Sequence, residues 1–178
     1  MNKSIPQWQT AGFLFTSVAG TLLHFFFDWT GGSFFSALFS AVNESIWEHM
    51  KLLYYPMMVF ALVEYRSWGK QIPGFWRVKL AGILAGLLLI PALYYTYSGI
   101  LGISADWFNI TIFFLAAAVS FYLETRLFQK GSARPLPGGP ALLLLISLLF
   151  TLATFHPPRL PFFRDPITGS YGFQRSVL

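Results

Sequence analysis

The densest chemistry in this chain lies in one short run, Asn43-Glu44-Ser45-Ile46-Trp47-Glu48-His49, with Lys51 just beyond. Four ionisable side chains, Glu44, Glu48, His49 and Lys51, open a segment that is otherwise apolar for the length of a membrane span. Only 11% of the chain is charged, so the concentration marks a place. Ionisable groups at membrane depth are costly and by default point to function. A second set ends the preceding apolar run: His24 and Asp28, four residues apart, share one helical face as metal-ligating pairs on helices do. His49 supplies a third ligand, and His156 or a glutamate a fourth. A divalent metal such as zinc suits this histidine–carboxylate set. With an open coordination position and Glu44 or Glu48 as general base, it would support hydrolysis. A metal-free variant uses the same parts: Glu44 and Glu48 lie on one face, so either is placed to act as general acid or base, His49 shares the role, and Lys51 completes the catalytic set.

The same residues also admit a structural reading. Lys51 would neutralise Asp28 or Glu48, and His24 would hydrogen-bond a backbone carbonyl, as polar glue between helices. Against it stands an excess: Asp28, Glu44, Glu48, His24 and His49 face a single lysine, more than a packing lock requires.

The elements that must position these groups follow from composition. The chain of 178 residues is 55% hydrophobic and 19% aromatic. Several runs are long enough to cross about 30 Å of hydrocarbon, which takes roughly 20 residues. Lipid gives backbone groups no partners, so spans must be helices or a closed barrel. The runs are long and do not alternate, which excludes a barrel. The fold expected is an all-α polytopic transmembrane helix bundle, one integral membrane domain with five spans at about 9–27, 46–65, 78–97, 107–128 and 141–155. Ser33–Val42 is apolar but too short to cross, and fits a short interfacial or re-entrant helix. Asn43 and Ser45 offer N-caps to the second span. The first run lacks a small-x-small exit site and reads as a retained span rather than a cleaved signal. Cysteine is absent, which removes disulfides and thiolate chemistry. The net charge of +5 sits in connections and is no nucleic-acid footprint.

Loop charge sets the expected orientation. Arg66, Lys70, Arg77 and Lys79 flank the second connection between spans, and Arg126, Lys130 and Arg134 the fourth. The positive-inside rule puts these connections and the N-terminus, with Lys3, in the cytoplasm and the C-terminus outside. Arg159, Arg164 and Arg175 in the tail weigh against this. Polar groups from four segments then reach the outer half: His24 and Asp28, Glu44 to Lys51, Asp106 and Asn109, and His156. Ser17, Thr21, His24 and Asp28 form one stripe, and Glu44, Glu48, Lys51 and Tyr55 another. Two polar stripes on neighbouring helices are expected to face each other. The Pro-rich tail, 156–178, starts on the same side. It reads as a lid, with Arg164 and Asp165 reaching the cluster, or as an ordinary turn-rich tail. Asn43, Ser45 and Asn109 join them as candidate substrate or lid contacts. Gly82 and Gly86 form a GxxxG, which allows close contact within the bundle or in a homodimer. Pro91 is expected to kink its span.

The pattern Asn43-Glu44-Ser45-x-Trp47-Glu48-His49-x-Lys51, followed by Pro56, resembles the signature of an uncharacterised family of small bacterial polytopic membrane proteins. Members share a histidine late in the first span, as His24 here, and a Pro-rich ending like Pro161-Phe-Phe-Arg-Asp-Pro. The resemblance covers most of the chain and implies no activity. A more distant likeness is to the alkaline ceramidases, intramembrane hydrolases with three histidines and an aspartate around zinc. His24, His49, His156 and Asp28 give the same inventory. Five spans and the lack of an HxxxH pair in the last one depart from that family, so the likeness is an analogy. Three functions are open on these grounds: a metal-dependent hydrolase acting on a lipid or lipid-linked substrate, a small proton- or ion-coupled transporter, and a non-catalytic accessory subunit. Membrane lipids are the partners common to all three.

Overall fold

The computed structural model describes residues 4–131 and 134–174. Lys3 and Arg175 lie outside the described residues. Among the described residues six α-helices follow in order: α1 Ile5–Trp29, α2 Phe34–Ala37, α3 Ile46–Ser67, α4 Phe75–Leu101, α5 Asp106–Lys130 and α6 Gly139–Phe155. Among the described residues no strand forms, and the sole extended pairing is one bridge between Arg164 and Tyr171. Each long apolar run thus became a helix, two to four residues longer than its hydrophobic stretch at most ends. The stretch expected as an interfacial helix forms only the single turn α2. Its N-cap Ser33 accepts from Ser36 N at 3.1 Å, and Ser40 pins the following loop to α1 by bonding Leu23 O and Phe27 N.

Three helices, α1, α4 and α5, are long and apolar enough to cross a membrane. α3 has the length, about 33 Å at ~1.5 Å per residue, but carries Glu48, Lys51, Glu64 and Arg66. α6 is strongly apolar but has only 17 residues. The reason for α3's charge lies in its position. It packs against α1, α4 and α6, while α4 and α5 pair with each other and α1 also lies on α5. A helix surrounded by others meets no lipid on most of its faces, so it need not be apolar throughout. Its Leu53, Tyr54 and Met57 are fully buried at the centre of the core, in one cluster with Ile83, Ala116, Ala117, Leu143 and Phe150.

Two close approaches fix the helix spacing. A Cβ on Gly20 of α1 would stand 2.6 Å from Leu52 O of α3. That carbonyl is free to be approached because Pro56, inside α3, has no N–H to return to it. On α4, Gly82 abuts the Glu124 side chain and Gly86 abuts Ser120 of α5 and Leu53 of α3. Both glycines are buried. The GxxxG face is therefore taken up inside the bundle, the first of the two close contacts its spacing allows. α4 runs unbroken through Pro91.

Candidate metal centre at the head of the central helix

Ser45 caps α3, accepting from Glu48 N at 3.4 Å, while Asn43 Oδ1 accepts from Ser45 N at 2.9 Å. This locked entry presents Glu44 and His49 on the side facing the last turns of α1. Both imidazoles direct Nε2 at the one carboxylate: His49 Nε2 stands 3.3 Å from Glu44 Oε2, and His24 Nε2 stands 4.0 Å from Glu44 Oε1. The two rings are 5.3 Å apart. His24, Glu44 and His49 offer ligand atoms that all lie within 4.8 Å of one another. Tetrahedral zinc, with bonds of about 2.0–2.2 Å, sets its ligand atoms roughly 3.3 Å apart, so a modest side-chain adjustment of His24 closes the set.

Hydrogen bonding fixes the chemistry of His49. Its Nδ1 lies 3.0 Å from Ser45 O. A carbonyl only accepts, so Nδ1 carries the proton. Nε2 is then either protonated and ion-paired with Glu44, or a lone pair facing a carboxylate, an arrangement that a cation between them would relieve. The backbone partner on the far nitrogen is the usual way a ligating histidine is oriented. His24 lacks it: its Nδ1 is buried without a partner. The hydrogen bond from His49 holds the Glu44 carboxyl below the usual carboxylate range, with burial opposing it. Glu44 is therefore anionic and available as a ligand at neutral pH. Side-chain exposures of 33%, 42% and 28% for His24, Glu44 and His49 leave a fourth position open to solvent or substrate.

The other expected site residues fall elsewhere. Asp28 and His156 are exposed and stand outside this group, so the inventory of three histidines and an aspartate does not assemble. Asp28 is one turn beyond His24, and its charge and that of Asp106 act on His24. Glu48 and Lys51 form a buried ring: Lys51 Nζ donates to Glu48 Oε2 at 2.5 Å, Ala37 O at 2.9 Å and Thr154 Oγ1 at 3.1 Å. Thr154 in turn donates to Glu48 Oε1 at 2.7 Å, and Val42 N to Oε2 at 3.2 Å. The three ammonium protons and both carboxylate oxygens are engaged at 0% and 1% exposure. At 1% exposure and ion-paired with Lys51, Glu48 is out of reach of a substrate proton, so the structural reading wins for these two. They tie α2, α3 and α6 together.

Asn109 accepts from Tyr97 Oη at 2.6 Å and closes the turn between α4 and α5, not the cluster. The tail does return to this end: Asn43 Nδ2 donates to Gly172 O at 3.2 Å, Phe173 N to Thr154 O at 2.7 Å, and the Phe173 ring meets Phe27 and Phe155. Arg164 and Asp165 do not reach in. Asp165 accepts from Ile167 N, Thr168 N and Thr168 Oγ1 and builds its own turn, and Arg164 is exposed.

Sequence reasoning missed a second polar cluster at the other end of α3. Lys79 of α4 donates to Glu64 Oε2 of α3 at 2.7 Å and to Glu124 Oε2 of α5, and Gln9 of α1 donates to Glu64 Oε1 at 2.7 Å. Three of the four are fully buried and Gln9 is 2% exposed. The signal was present: Glu64, Lys79 and Glu124 are charges within expected spans. Lys79 belongs to this cluster and not to the connection between α3 and α4, which keeps Arg66, Lys70 and Arg77 as its basic residues.

A family model described as a family of unknown function (DUF6512) matches residues 1–173. The chain belongs to that family. The match spans both polar clusters and the returning tail. No curated protein and no solved structure matches the chain.

Proposed function

We propose that this is an integral membrane protein of five spans, α1, α3, α4, α5 and α6, with the N-terminus cytoplasmic and the C-terminus extracytoplasmic. Its outward end carries a divalent-metal centre of His24, Glu44 and His49 that serves hydrolysis of a lipid or lipid-linked substrate. The observation that carries this reading is the convergence of two Nε2 atoms on the two oxygens of one partly exposed carboxylate. Two histidines and a carboxylate with an open fourth position are the ligand set of hydrolytic zinc sites. A metal held there supplies a bound water that ionises near neutral pH. Glu44 acts as ligand, and with Glu48 sealed, Asp28, one turn beyond His24, is an exposed carboxylate that can take the proton. Phe25 and Trp29 support a lipid substrate: they stack on each other at 5.9 Å, are 45% and 66% exposed, and Phe25 also lies against His24.

Elemental analysis of protein purified without chelator tests this. About one zinc or similar ion per chain is expected, lost in His24→Ala, Glu44→Ala and His49→Ala, with metal-dependent release of fatty acid from a panel of lipid esters and amides in mixed micelles. Metal-free protein, with stability unchanged in those variants, sinks the reading. The second reading is a proton- or ion-coupled carrier. The Glu64–Lys79–Glu124 cluster favours it, because ionisable groups now sit at both ends of α3, roughly 24 Å apart along the helix. Proton flux into proteoliposomes, abolished by Glu124→Gln, is its test, and an absence of flux across a broad solute panel rejects it.

A further inference from the structure

We infer that the buried cluster of Gln9, Glu64, Lys79 and Glu124 is a proton-binding site that holds one exchangeable proton on its pair of carboxyl groups. The inference is independent of the metal centre and concerns the cluster that the carrier reading uses; a proton held without flux would leave the inference standing and the carrier reading rejected.

The argument begins with charge. Two carboxylates surround one ammonium, and Glu64, Lys79 and Glu124 are each 0% exposed. The charged groups that face Glu124 are Glu64 from α3 and Lys79 from α4. α1 contributes only the neutral Gln9. With both acids ionised, the cluster would hold one uncompensated negative charge inside the bundle, where an unpaired charge is costly enough that the group neutralises instead. Hydrogen bonding gives an independent count. Glu64 has both oxygens engaged, one by Gln9 and one by Lys79. Glu124 has one oxygen on Lys79, and its Oε1 is buried with no partner. Gln9 Oε1 is also buried without a partner. One carboxylate oxygen of the cluster therefore has no donor, and the cluster's charge lacks one positive unit. A proton on Glu124 Oε1 supplies both, and Gln9 Oε1 is the unfilled acceptor in the same group.

A metal ion fits less well. The Lys79 ammonium already occupies the place between the two carboxylates, so a second cation would face a like charge at short range. The space for a protonated carboxyl is built in: a Cβ at Gly82 would collide with Glu124 Cγ and Oε1. The Phe121 ring lies 5.3 Å from Lys79 Nζ and helps hold the ammonium in place.

Infrared difference spectroscopy of the full chain in lipid tests the site. The chain has seven carboxyl side chains, so a protonated-carboxyl band can be assigned by single substitutions. Wild type is expected to show such a band at neutral pH, shifted in D2O, and Glu124→Gln to lose it. Glu64→Gln, which leaves one carboxylate for one ammonium, is expected to lose it as well. Should Glu124→Gln not fold, the Glu64→Gln variant and the pH titration of the wild-type band carry the test. Absence of the band at neutral pH, no shift in D2O, or persistence of the band in whichever of these variants folds overturns the inference.

Discussion

At the scale of single residues, neighbours in sequence have opposite fates. Glu44 and Glu48 lie one helical turn apart, yet Glu44 is 42% exposed between two histidines and Glu48 is 1% exposed in a closed ring with Lys51 and Thr154. The difference is access: the ring seals Glu48 away from solvent against the Lys51 ammonium, and Glu44 stays open. The ring makes a sharp prediction. Removing one charge of a buried pair strands the other, at a cost of about 3–5 kcal/mol, whereas replacing both by apolar groups is often near neutral. Glu48→Ala is expected to lower the thermal midpoint in detergent strongly, and Glu48→Leu with Lys51→Met to recover most of it. If the double variant is as unstable as the single, the ring has a role beyond charge compensation.

At the scale of elements, α3 organises the molecule. It carries both polar clusters, one near each end, and is shielded by α1, α4 and α6. The metal candidate depends on how closely α1 lies on α3, and that depends on Gly20 against Leu52 O. Gly20→Val would force the helices apart one turn below His24. Overpacking of this kind typically costs about 1–3 kcal/mol. The expected outcome is a folded protein of reduced stability that binds metal weakly or not at all, read by elemental analysis and thermal denaturation. Full metal retention in that variant would show that the spacing at Gly20 does not set the site.

At the scale of the whole molecule, the two clusters lie at opposite ends of the bundle. His24, Glu44 and His49 sit where α1 ends and α3 begins; Gln9, Glu64, Lys79 and Glu124 sit where α1 and α4 begin and α3 and α5 end. With no native cysteine, the proposed topology can be read from single introduced cysteines. Lys70→Cys, in the turn after α3, is expected to react with an impermeant thiol reagent only from the cytoplasmic side, and Ser104→Cys, in the turn before α5, only from outside. Labelling of both from one side would overturn the five-span topology, and with it the outward placing of the metal centre.

The sequence by itself determined the helices. Their length and apolar content follow from local composition, which is why all five long runs appear, and why Ser45, as a local cap, starts α3 where its spacing predicted. It also placed His24, Glu44 and His49 among the residues worth watching, because charge in an apolar chain is conspicuous wherever it falls. Which of the candidates meet was decided by the tertiary structure alone. Helical spacing puts His24 and Asp28 on one face, but only the approach of α3 selects His24 and leaves Asp28 outside. The same holds for Glu64, Lys79 and Glu124, which are 15 and 45 residues apart in the chain from one to the next. Each looked like an isolated charge near a span end, and no local pattern could show that three helices bring them to one point. Pairing of buried charges is a property of helix packing, and it is packing that turned Glu48 and Lys51 into a lock and left Glu124 one proton short.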